Sequence, residues 1–174
     1  MHDIDAAGDD LRYGPGGRAL LAASKYLAIA GGLVFVAIVV MSIASITGRK
    51  IASSPVPGDV EMLQMCAAFA ASAFFAYCHL VNGDVKVDFF TQHMAPAKVH
   101  AMDAFGSLLV ALFGALIAWR TAAGAIAIQE VGETSAILGW PVWIAQALMV
   151  PGFVMLAAAG AYTCAMHLQR AMVR

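Results

Sequence analysis

Residues 26–48 read YLAIAGGLVFVAIVVMSIASITG, a run of 23 residues without one charged side chain. At about 1.5 Å of rise per residue, a helix of that length crosses the roughly 30 Å hydrocarbon core of a bilayer. Three more such blocks follow, at 62–83, 104–129 and 134–169. Together the four blocks hold 107 of the 174 residues and a single charge, Arg120. The other 20 charged residues crowd into the remaining 67 positions. A helix that faces water needs a polar stripe, and blocks this poor in charge cannot supply four of them. The whole chain is 61% apolar and 12% charged, against roughly 45–50% and 25% in an ordinary soluble domain. These features exclude a soluble enzyme and a disordered chain. Acidic and basic residues nearly balance, 11 against 10, so there is no electrostatic footprint for nucleic acid. The fold class implied is an all-α integral membrane protein with four transmembrane helices.

The spans are expected at about 24–48, 60–82, 97–129 and 140–168, within a membrane domain covering 20–170. Pro96 suits the first turn of the third helix. Trp140 marks the start of the fourth, which Pro151-Gly152 should kink. Residues 1–19 form an acidic arm (Asp3, Asp5, Asp9, Asp10, then Gly14 to Gly17) with little to bury, and disorder is expected there. The first apolar run is too long for a secretory h-region and reads as an uncleaved anchor. Arg12, Arg18, Lys25, Lys86, Lys98, Arg170 and Arg174 fall on one side of such a four-span chain, and only Arg49 and Lys50 on the other. The excess of Lys and Arg places both termini inside.

Inside the spans little could do chemistry. Cys66, Cys78 and Cys164 are single and read as packing residues. No paired carboxylates or nucleophile–base arrangement lies in a span, so no catalytic, substrate-binding or metal-binding residue is expected, and no cofactor. No internal repeat is evident, which argues against a self-sufficient transporter. Span two is rich in alanine (Ala67, Ala68, Ala70, Ala71, Ala73, Ala76) and suits close packing against protein. Small residues recur at four-residue spacing in Gly114-Ala118-Ala122 and Ala157-Ala161-Ala165, for packing within the unit or against a second membrane protein. Arg120 would cost about 2.5–3.5 kcal/mol at the bilayer centre. It should snorkel or find a partner, and Glu61 at the start of span two is the candidate. Between spans two and three, Val87, Phe90 and Met94 share one helical face, which suggests a short amphipathic element on the inner membrane surface.

Three stretches together resemble the small permease subunit (DctQ type) of tripartite ATP-independent periplasmic (TRAP) transporters. Pro57-Gly58-Asp59-Val60-Glu61 is similar to the family's acidic start of span two. Asn82-Gly83-Asp84-Val85-Lys86-Val87-Asp88-Phe89-Phe90, followed by Met94-Ala95-Pro96, resembles its Gly-x-Val-basic-Val-Asp segment. Ser135 through Trp143, with Pro151-Gly152-Phe153 beyond, resembles its Ser…Leu-x-Ile-Pro-x-Trp…Pro-x-Gly ending, with Trp140 in the place of an aliphatic residue. The resemblance covers about residues 20–170.

The resemblance implies a scaffold in a bacterial inner membrane. Its partners would be a larger permease that holds the substrate and sodium sites, and a periplasmic binding protein that delivers an organic acid or similar solute. It would also contact membrane lipids. Glu61, Lys86, Asp88, Trp140, Pro141 and Trp143 are then expected to matter for assembly, with Arg120 as a further interface candidate. Two other classes compete. A haem-binding membrane anchor of a redox enzyme would use His79 and His167, which lie at similar depth, and would be coloured. A stand-alone small channel would conduct when reconstituted alone.

Overall fold

A computed structural model describes residues 13–53, 56–84 and 96–172. Four helices run through them: α1 (Pro15–Ala52), α2 (Asp59–Leu80), α3 (Pro96–Val131) and α4 (Val142–Met172). All four are long and apolar enough to cross a membrane. Among the described residues there is no strand, only an isolated bridge between Thr134 and Pro141. Pro15 sits in the first turn of α1, where its missing N–H is not needed, so the helix starts well before the apolar run. With 38, 22, 36 and 31 residues, the helices measure about 57, 33, 54 and 46 Å. Only α2 matches the apolar core of a bilayer; the others extend beyond it as polar turns. α4 continues as one helix through Pro151.

The main helix pairings are α1 with α2, α2 with α4, and α4 with α3; α1 touches α4 only lightly. The helices thus stand side by side in the order α1, α2, α4, α3, as a layer rather than a closed bundle. The packing chemistry inverts that of a soluble core. Ala70, Ala73 and Ala76 of α2 and Ala159 of α4 are fully buried, while Leu33, Phe105, Leu112 and Trp119 face outward. Small residues let backbones approach closely where hydrocarbon, not water, surrounds the helices. At Gly152 a Cβ would lie 2.5 Å from the Ser72 carbonyl oxygen, and at Gly114 it would lie 2.8 Å from the Ala157 backbone nitrogen. The α3 stripe therefore packs inside the unit at Gly114 and at buried Ala118, whereas Ala161 and Ala165 of the α4 stripe are exposed.

The outer helices carry apolar stripes with nothing on them. On α1 these are Ile29, Leu33, Val36, Val40 and Ile43; on α3 they are Phe105, Leu109, Leu112, Leu116 and Trp119. The alternating steps of three and four residues keep each stripe on one helical face. Such surfaces fit hydrocarbon or another membrane protein.

Candidate functional site

Among the described residues, the polar side chains that link one helix to another gather at the two ends of the helix layer. The far end holds the link between α1 and α2 and the turn between α3 and α4. The near end holds the start of α1, the end of α2, the start of α3 and the last turns of α4.

At the far end, Asp59 joins two helices. Its Oδ1 accepts from the Val60 N–H at 2.9 Å, and its Oδ2 accepts from Ser45 Oγ at 2.6 Å and from Arg49 at 3.3 Å. An acidic residue in the first turn also complements the helix dipole. Two residues on, Glu61 reaches the α3–α4 turn. One carboxylate oxygen accepts from the Ile137 N–H at 3.0 Å and the other from the Leu138 N–H at 3.1 Å. That turn is closed by the Ser135 N–H to the Trp140 carbonyl at 2.8 Å and the Val142 N–H to the Glu133 carbonyl at 3.2 Å. Leu138 packs on Gly58, whose φ of +72° lies in the left-handed region and whose missing Cβ leaves room for the leucine. Two of the stretches that carried the family resemblance, 57–61 and 135–143, thus meet in space.

The pairing of Glu61 with Arg120 is not made. Glu61 is turned toward the loop amides, and Arg120 is exposed on α3. A nearby polar cleft of about 470 Å³ is lined by Glu61, Gln64, Thr121, Ser135 and Gln146, among others, and Arg120 is not among its lining residues. Trp140 and Pro141 border a different, apolar cavity of about 580 Å³ between α1, α2 and α4, opposite Val34, Met65 and Phe69. Trp140 is exposed, and Trp143 is half-buried in the first turn of α4. Lys86, Asp88 and the amphipathic element lie outside the described residues.

At the near end, the α2 terminus turns through Asn82, in the left-handed region at φ +53°, a conformation asparagine tolerates. The turn brings Asp84 back to the buried His79, whose Nδ1 lies 2.5 Å from Asp84 Oδ2 and whose Nε2 lies 2.9 Å from Thr163 Oγ1. Both ring nitrogens are engaged, so His79 has none left for an iron. His167 instead faces His100 and Asp103 of α3. The geometry therefore does not bring His79 and His167 together as a haem pair. Tyr13 donates to the Leu80 carbonyl, and Tyr162 accepts from the Gly14 N–H at 3.2 Å, which ties the start of α1 to α2 and α4. The three cysteines are unpaired.

Sequence reading missed Ser45, Leu138, Thr163 and the Gly14–Tyr162 hydrogen bond. Their partners lie 14 to 148 residues away, where only the fold sets proximity. The exception is His100 with Asp103, whose three-residue spacing on a helix was a visible signal.

No curated protein and no solved structure matches the chain. A family model described as "Tripartite ATP-independent periplasmic transporters, DctQ component" matches residues 38–170. The match spans α2, α3, nearly all of α4 and the last turns of α1, including both stretches that meet at the far end. That description is of a transporter component, not of an enzyme. With four helices fit to cross a bilayer and most of its length matched, the chain belongs to the DctQ component family, the small subunits of TRAP transporters.

Proposed function

We propose that this chain is an immobile scaffold subunit of a TRAP transporter in a bacterial inner membrane, with both termini cytoplasmic. It partners a large permease that binds solute and coupling ion, while a periplasmic protein delivers an organic acid or similar small solute. The observation that carries this reading is the open layer of helices. Polar side chains are spent on tying helix ends together, and wide apolar faces on α1 and α3 remain uncovered. A carrier that handled its own solute would need a polar path through its middle. The described basic residues support the orientation: Arg18, Lys25, Lys98 and Arg170 share the near end, against Arg49 and Lys50 at the far end.

The α3 face is our choice for the permease contact. The α1 stripe is uniformly apolar and suits lipid. The α3 face includes Arg120, exposed and 11 residues, or about 16 Å, short of the helix end at Val131. An arginine at that depth is best satisfied by an acidic group on a facing helix. Glu61, Trp140, Pro141 and Trp143 serve assembly indirectly, by setting the shape of the far end. The test is co-purification with a tagged large permease from the same membrane. Arg120→Ala should reduce the recovered chain several-fold, and Arg120→Lys less. Unchanged recovery of Arg120→Ala would move the interface to another face.

A further inference from the structure

His100 and Asp103 lie three residues apart near the start of α3 and so project from one face of the helix. His167, near the end of α4, comes in against them. One ligand atom from each of the three residues lies within 4.8 Å of the other two. His167 Nδ1 and Asp103 Oδ2 are 3.9 Å apart, and the two imidazole centroids are 5.7 Å apart. All three residues are half-buried.

A separation of 3.9 Å is too long for a hydrogen bond between Asp103 and His167. Among the described residues, His100 Nδ1 is buried and has no hydrogen-bond partner. A buried ring nitrogen without a partner is costly, and each such group calls for a reason.

We propose that His100, Asp103 and His167 form a site for one divalent transition-metal ion of the zinc class, joining α3 to α4 at the near end. The donor set selects the ion. Two imidazoles and one carboxylate suit zinc, cobalt or nickel, whereas calcium and magnesium require a shell of oxygens. Zinc–ligand bonds of about 2.0–2.2 Å place tetrahedral donors roughly 3.4 Å apart. The present spacing of up to 4.8 Å is slightly wider, so binding needs the ligand side chains to close in by about an ångström. Three protein ligands leave a fourth position for water, and the Asp103 side chain, 29% exposed, leaves a path for the ion to enter.

The placement gives the ion a purpose. α3 and α4 are joined covalently at the far end by the short turn after Val131. At the near end their termini, Pro96 and Met172, are far apart in sequence, and an ion there closes the pair. This is independent of any role in transport.

The test uses the full-length protein, free of any histidine tag, in detergent. Titration with cobalt(II) chloride should produce a visible ligand-field band that saturates at one equivalent and is bleached by zinc. His100→Ala and His167→Ala should each lower cobalt affinity at least about tenfold, while His2→Ala retains it. A second measurement needs no variant: zinc should protect His100 and His167 of the wild-type protein from carbethoxylation, read by mass spectrometry. Absence of saturable cobalt binding overturns the proposal. So does binding that persists in both histidine variants, or zinc that leaves both histidines fully reactive.

Discussion

Gly58 and Glu61 show how single residues set the far end. Replacing Gly58 with alanine puts a Cβ at φ +72° and within 2.5 Å of Leu138 Cγ. The backbone alone makes this unfavourable by about 1–2 kcal/mol, so Gly58→Ala should lower unfolding free energy by at least that much in a denaturant titration in detergent. Adding Leu138→Ala removes the overlap, and the double variant should lose less than the sum of the two singles. Glu61→Gln leaves one of the two loop amides without an acceptor. Its melting temperature should fall further than that of Glu133→Gln, whose carboxylate holds no such pair of amides among the described residues. The residues of this junction were legible as two separate motifs. That they form one junction was not, because Glu61 and Leu138 are 77 positions apart and nothing in a local pattern encodes that approach. The expected Glu61–Arg120 pair failed for a physical reason: backbone N–H groups of a tight turn need an acceptor, and Glu61 supplies it to Ile137 and Leu138.

At the scale of elements, the alanine-rich character of α2 is what places it in the middle of the layer. Its small face admits α1 on one side and α4 on the other, with Gly31 against Ala73 and Gly152 against Ser72. Gly152→Leu should wedge α4 away from α2 and destabilise the fold by about 1–3 kcal/mol, as overpacked cores are. Val154→Leu, on the exposed side of α4, should change little. The comparison is made by the same denaturant titration. Four helices and their apolar stretches could be read from charge spacing alone, since a charge inside hydrocarbon is so unfavourable that its absence is informative. Helix lengths could not. Hydropathy reports the apolar run, whereas α1 and α3 continue through turns containing Arg18, Lys25, Lys98 and Asp103, where backbone hydrogen bonding needs no apolar side chain.

For the whole molecule, the order α1, α2, α4, α3 leaves broad apolar faces on both outer helices, and the polar cleft that Glu61, Gln64, Thr121 and Gln146 line lies toward the far end. Such a layer is suited to widen and steady a larger assembly. The family match makes the chain a TRAP transporter component, and on the proposed reading the apolar faces of α1 and α3 meet lipid and the large permease. The division of labour between the subunits is the claim on which the account depends. It is tested most directly by solute uptake into proteoliposomes, with the binding protein and an ion gradient present, comparing this chain alone, the large permease alone, and both together. Full uptake is expected only with both, and none above empty liposomes with this chain alone. Accumulation of solute by liposomes that contain this chain as their only membrane protein would contradict it.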